Sequence, residues 1–274
     1  MLAATLLALG AAVLHAGWNL AVKQSGDRFI ALWGQFFVAG TVCLVALLVI
    51  GGLPAEGWIW AAVSGAIHLP YCWFLARAYD HGDFSLVYPV ARGGGALLAA
   101  IGGVALLGDQ LSGLAVMAIM LIATGLFALA GRANGPELSS ALVVAFTIGV
   151  YSVSDAQGIR STGTPVYVLA SFVGTMTSTT IFGLLSGRRR AMVTAMRSNW
   201  RRFTAIGMAA TVTYGMVQLA FQWAPVGYVT AIRESSVLLA AFAGWRMLGE
   251  SAGVRRIVSS SIVVGGLVLL VAAR

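Results

Sequence analysis

Two arginines stand inside stretches otherwise built from apolar residues: Arg92 in PVARGGGALLAAIGGVALLGD (89–109) and Arg233 in TAIRESSVLLAAFAGWRMLGE (230–250). A guanidinium is a rigid fork of N–H donors that grips a carboxylate, phosphate or phosphonate. In a hydrocarbon surrounding, a lone one costs roughly 2.5 to 3.5 kcal/mol even on insertion scales, so each must face the interior and find a carboxylate, backbone carbonyls or water. Glu234 follows Arg233 directly and points about 100° away from it around a helix, so it needs another partner. That partner is either Arg92, in a structural ion pair, or a proton, on a carboxyl able to carry one across the membrane. Asp155 offers the same choice, with Arg160 as its candidate counter-ion. Among the polar residues in apolar runs, His15, Asn19, Tyr71, Tyr88, Tyr151, Tyr214 and Gln218, with His68, Trp73, Tyr79 and Gln222, supply the aromatic and carboxamide groups from which a binding cavity would be lined. His15, His68 and His81 are dispersed without ligand spacing, so no metal centre is expected. Cys43 and Cys72 sit in apolar runs as small hydrophobes. Gly93-Gly94-Gly95 follows no strand and lacks the GxGxxG spacing, so no nucleotide cofactor is expected either.

The elements that must position these residues are helices in a bilayer. With 59% hydrophobic residues, 9% charged and 34 glycines in 274 residues, the chain has the composition of a membrane protein. Apolar runs of about 20 residues, the length that crosses a bilayer, predict ten transmembrane helices at roughly 2–22, 30–51, 58–79, 84–107, 112–130, 138–158, 164–186, 203–223, 226–248 and 253–273. The two arginine stretches are copies: Arg92 and Arg233 lie 141 positions apart, as do Asp109 and Glu250, and eight of the seventeen aligned pairs from Arg92 to Gly108 are identical. The GRANGPE connection (131–137) then separates two halves, 1–133 and 137–274, of five spans each. Five is odd, so the second half enters the membrane in the opposite sense and the fold class is an all-α membrane protein of two inverted five-helix repeats. Spans four and nine run antiparallel, bringing Arg92 and Arg233 to mid-membrane from opposite faces as a symmetric clamp. In the first span of each half, His15 aligns with Tyr151 and Asn19 with Asp155. Pro89 and the triple glycine predict a bent or broken span four beside its arginine. Trp58, Trp60, Trp200 and Trp223 fall at span ends as interfacial anchors.

The net charge of +8 does not point to nucleic acid, because the basic residues gather in a few short connections. Lys23, Arg28, Arg132, Arg188 to Arg190, Arg197, Arg201, Arg202, Arg255 and Arg256 all fall in odd-numbered loops. The positive-inside rule puts those loops in the cytoplasm and both termini outside. The first apolar run lacks a basic flank and has a counterpart in the second half, so it is expected to be a structural span.

HAGWN (15–19), YPVARG (88–93), LLGD ending at Asp109, DAQGIR (155–160), and IRESSV with LGE ending at Glu250 together resemble the EamA-type proteins of the drug/metabolite transporter superfamily. The resemblance covers essentially the whole chain. It implies ten spans in two inverted repeats and a secondary transporter, often an exporter of amino acids, drugs or other small metabolites, working by alternating access around a central cavity. It also implies that Gly108-Asp109 and Gly249-Glu250 are structural helix ends, and that both termini are cytoplasmic, against the charge rule. Taken with the residues, it predicts a multi-pass carrier in the cytoplasmic membrane. Its substrate is a small anionic or zwitterionic molecule bound by Arg92, Arg233, Tyr88, Asn19, His15, Tyr71, Tyr151, Tyr214 and Gln218, with Glu234 or Asp155 coupling protons. A membrane-embedded enzyme acting on lipid-linked or phosphorylated substrates and a channel-like protein are the alternatives. The enzyme is disfavoured because the sequence offers no nucleophile–base pair.

Overall fold

A computed structural model describes residues 1–81, 84–130, 136–163, 165–239 and 254–273. Among these the chain forms ten α-helices and no strand: α1 (Leu2–Lys23), α2 (Arg28–Ile50), α3 (Ala55–His81), α4 (Phe84–Leu107), α5 (Gly113–Ala130), α6 (Pro136–Thr162), α7 (Val166–Leu185), α8 (Arg189–Phe221), α9 (Val226–Arg233) and α10 (Val254–Ala272). Seven are long and apolar enough to cross a membrane; α5 and α10 carry the shorter apolar stretches Gly113–Ala128 and Ser261–Ala272. Residues 131–135 of the predicted 131–137 connection and the Gly249-Glu250 motif lie outside the described residues.

The helices are set by local signals acting on apolar runs. Asp27 caps α2, accepting a hydrogen bond from Ile30 N at 3.0 Å, and Gly51 closes the same helix at φ 98. Gly108 ends α4 at φ 67. Trp58 and Trp223 are exposed near helix ends, Trp200 is exposed within α8 rather than at a helix end as predicted, and Cys43 and Cys72 are free and buried.

The first five helices do not form a separate bundle. Instead, α1 and α2 pack on α8, α2 and α3 on α7, α3 and α4 on α6, and α5 on α10. Glycines make the closest of these crossings. A Cβ on Gly174 would lie 2.2 Å from the Ala61 carbonyl oxygen, and one on Gly65 would lie 2.4 Å from the Gly174 carbonyl, so α3 and α7 touch backbone to backbone.

Two expectations about the helices are corrected. The basic stretch 187–202 is not mainly a loop: α8 begins at Arg189 and runs 33 residues, with its one non-helical residue, Asn199 (φ −122, ψ 16), near the predicted span start. Met192 is buried on this extension while Arg189, Arg190, Arg197, Arg201 and Arg202 are exposed, so it is helical with one apolar side. Secondly, α4 is continuous through Pro89 and the glycines, and the interruption falls in its copy instead. Helix α9 stops at Arg233, Glu234 forms a turn, and helix resumes over 235–239. There the ladder tightens from i−4 to i−3 bonding, Glu234 N to Ala231 O at 3.0 Å and Val237 N to Glu234 O at 2.9 Å. The α4 glycines are used for packing: a Cβ would meet Leu126 at 2.9 Å from Gly93, Ala145 at 2.9 Å from Gly94 and Ile148 at 2.5 Å from Gly95.

Candidate functional site

Helices α4 and α9 meet in antiparallel register. Asp109, just past α4, accepts a 2.7 Å bond from Val226 N at the start of α9, and Tyr88 Oη lies 3.1 Å from Ser236 Oγ near their other ends. Between these contacts Arg92 and Glu234 form a two-pronged ion pair, Nε to Oε2 at 3.1 Å and Nη2 to Oε1 at 2.6 Å, with 4% and 1% of their side chains exposed. The structural alternative for Glu234 is therefore the one this conformation adopts. The symmetric clamp is not: Arg92 is neutralised on the α4 side, and the two arginines are inequivalent.

Arg233 is 1% exposed and, among the described residues, pairs with no carboxylate. Its Nε and Nη1 are buried without an acceptor, Nη2 lies 3.5 Å from His15 Nδ1, and the guanidinium carbon sits 5.8 Å from the centre of the Tyr214 ring. This is a cation held by an aromatic face and an imidazole rather than by an anion.

A cavity of about 30 Å³ lies against it, lined by His15, Trp18, Phe36, His68, Tyr71 and Tyr151, with Ser171, Phe172, Thr175, Ala210, Thr213 and Tyr214 contributing to the wall. All of these are buried except the half-buried Tyr214. That space holds a water or two rather than a metabolite. The rings brace each other: His68 stacks on Tyr151 at 4.3 Å, while Tyr71 and Tyr214 stand edge-on to His68, each at 5.9 Å. His68 is set by α3 itself, its Nδ1 2.9 Å from the Ser64 carbonyl one turn back.

Of the predicted site residues, His15, Tyr71, Tyr151, Tyr214 and Arg233 meet at this cavity. Gln218 stands one contact behind, donating to Ser171 Oγ at 2.9 Å. Tyr88 packs beside His15, ring centres 6.3 Å apart. Asn19 supports the same turn of α1, donating to the His15 carbonyl at 3.0 Å and accepting from Tyr79 Oη at 3.2 Å. Arg92 does not border the cavity. Asp155 does not pair with Arg160: it is fully buried, and its partners are hydroxyls, Tyr167 Oη at 2.8 Å and Tyr214 Oη. Arg160 instead binds Asp109 at 2.7 Å and the carbonyls of Phe221 and Ala224 at 2.9 and 3.2 Å.

Trp18, Phe36, Ser171, Phe172, Thr175 and Thr213 were not expected at the site. A signal exists for two of them: Ser171 and Thr175, with Thr179, recur every four residues on α7 and so mark one polar stripe on an apolar helix.

A family model for the EamA-like transporter family matches residues 136–272, half of the chain. The chain belongs to the EamA-like transporter family. It is thus a multi-pass membrane protein of a transporter family, and a small-molecule substrate and the lipid bilayer are its implied partners. The same fold is found in a solved crystal structure of a protein that is 19% identical, with a TM-score of 0.75 and 99% of each chain covered. No curated protein matches the chain in sequence. Within this EamA-like protein, the family match includes α9 and Arg233, while His15, Trp18, His68 and Tyr71 come from the half outside it.

Proposed function

We propose that the protein is a secondary carrier in the cytoplasmic membrane that binds a small anionic or zwitterionic metabolite at Arg233 and moves it by alternating access, in the direction of export. The observation that carries this is the buried guanidinium of Arg233, which borders the central cavity with two nitrogens lacking an acceptor. A transporter that captures an oxyanion needs such a group at the middle of its path. Membership in a transporter family favours this over a membrane-embedded enzyme.

The antiparallel meeting of α4 and α9 supports two inverted halves, 1–133 and 137–274, with ten spans in all. The basic end, with Lys23, Arg28 and Arg188 to Arg190, is read as cytoplasmic by the positive-inside rule. For proton coupling, Asp155 is the stronger candidate of the two carboxyls. Glu234 is tied by a guanidinium, whereas Asp155 is held by neutral tyrosine hydroxyls, one of which belongs to the cavity wall.

The test is a thermal-unfolding screen of the purified protein against amino acids and organic acids. A ligand at 100 times its dissociation constant stabilises the folded state by about 2.7 kcal/mol. The stabilisation seen in wild type is expected to vanish in Arg233→Gln and to survive in Arg160→Gln. An Arg233→Gln protein that folds and keeps the shift would remove Arg233 from the site.

A further inference from the structure

The cavity is unbalanced in charge, a guanidinium on its wall and no carboxylate among the described residues, and the imbalance narrows the ligand. Three buried nitrogens on its wall have no acceptor: Nε and Nη1 of Arg233 and Nε1 of Trp18, the last only 7% exposed as a residue. Every one of them can only donate. Four wall hydroxyls donate elsewhere, Ser171 to the Val168 carbonyl, Thr175 to the Ser171 carbonyl, Thr213 to the Ala209 carbonyl and Tyr214 to Asp155, so toward the cavity they offer only neutral oxygens. No carboxylate borders the cavity among the described residues. Asp155 is screened from it by the Tyr214 hydroxyl, and Glu234 is consumed by Arg92.

An ammonium group would find neutral acceptors here but no opposite charge. Its counter-ion is missing, and the aromatic face best placed for a cation, that of Tyr214, already carries the Arg233 guanidinium. A second cation on that face would sit beside a like charge with no carboxylate to offset it. An oxyanion, by contrast, supplies acceptors to these orphan donors and pairs directly with the Arg233 guanidinium, whose neighbour Glu234 is taken by Arg92. The remaining wall is rings: Phe36, His68, Tyr71, Tyr151 and Phe172, which suit a flat apolar body.

We infer that the substrate is a net anion, a carboxylate or phosphonate on a flat apolar body without a compensating ammonium, and not a zwitterionic amino acid. This rests on the reading of Arg233 as the binding cation and sharpens it. The cavity must widen to admit such a molecule, which is the movement alternating access provides.

Three compounds share one ring and differ in charge: 3-phenylpropanoate (−1), phenylalanine (zwitterion) and 2-phenylethylamine (+1). Thermal-unfolding titrations of the full-length protein in detergent are expected to give 3-phenylpropanoate an affinity at least about tenfold above the other two, a difference of about 1.4 kcal/mol. Arg233→Gln is expected to abolish its binding and Arg233→Lys to keep part of it, with monodispersity on gel filtration confirming that each variant folds. Trp18→Phe, which keeps the ring and removes the N–H, is expected to weaken the acid alone. Phenylalanine or phenylethylamine binding as tightly as the acid would overturn the inference, as would binding by none of the three. If phenylalanine binds equally well and is lost in Arg233→Gln, the anion selectivity fails while Arg233 stands as the binding cation. If the acid binds and Arg233→Gln leaves it unchanged, the binding role of Arg233 fails as well.

Discussion

At the scale of single residues, the centre of the protein holds two arginines with opposite fates. Arg92 and Glu234 share two hydrogen bonds at almost complete burial, and removing one partner strands a charge where water cannot reach it. Glu234→Gln or Arg92→Gln is expected to destabilise the protein by roughly 3 to 5 kcal/mol, whereas the double replacement Arg92→Met with Glu234→Leu recovers most of that loss. Reversible chemical unfolding of the four proteins in mixed micelles measures it, and a double replacement no more stable than the single ones would contradict the expectation. Much of this was legible in the sequence. An arginine in an apolar run has few solutions, and the impossibility of pairing Arg233 with its own neighbour Glu234 left Arg92 as one of them. Which arginine stays unpaired was not legible, because it depends on how α4 and α9 cross. The hydroxyl ring around Asp155 was equally hidden: Tyr214 reaches it from 59 residues away, and no local pattern announces that contact.

At the scale of elements, small residues decide how near the helices come and interruptions decide where they yield. The crossing of α3 and α7 at Gly65 and Gly174 has no room for a methyl group, since the nearest obstacle is backbone. Gly174→Ala is expected to cost about 1 to 3 kcal/mol by forcing the two helices apart. Gly17→Ala in α1, whose added Cβ would touch nothing within 4 Å, is expected to be neutral or slightly stabilising through helix propensity. Parallel thermal-unfolding scans of the two variants check this, and equal effects would contradict the packing argument. Seven helices have the length and apolarity that the runs predicted, and α8 begins earlier than its run, where exposed arginines masked one buried side marked by Met192. The break was assigned to the wrong copy. Proline and glycine in α4 read as weakness, but there the glycines are filled by Leu126, Ala145 and Ile148, while α9 tightens at Glu234 without proline or glycine at that position.

At the scale of the whole molecule, contacts that join early helices to late ones stand at both ends of the bundle. At the end that holds the chain termini, Arg160 ties Asp109 to the carbonyls that close α8 and start α9. At the basic end, Arg188 binds Asp27 at 3.1 Å and lies over Phe29 and Trp73, which pack edge-on with Phe182. Alternating access means that one set opens while the other holds, with Arg233 between them. The direct test of that account is counterflow in proteoliposomes loaded with a ligand that the unfolding screen identifies. The account predicts saturable, exchange-stimulated uptake of labelled ligand that is lost in Arg233→Gln. Flux that rises without saturation, or exchange that Arg233→Gln leaves unchanged, would contradict it.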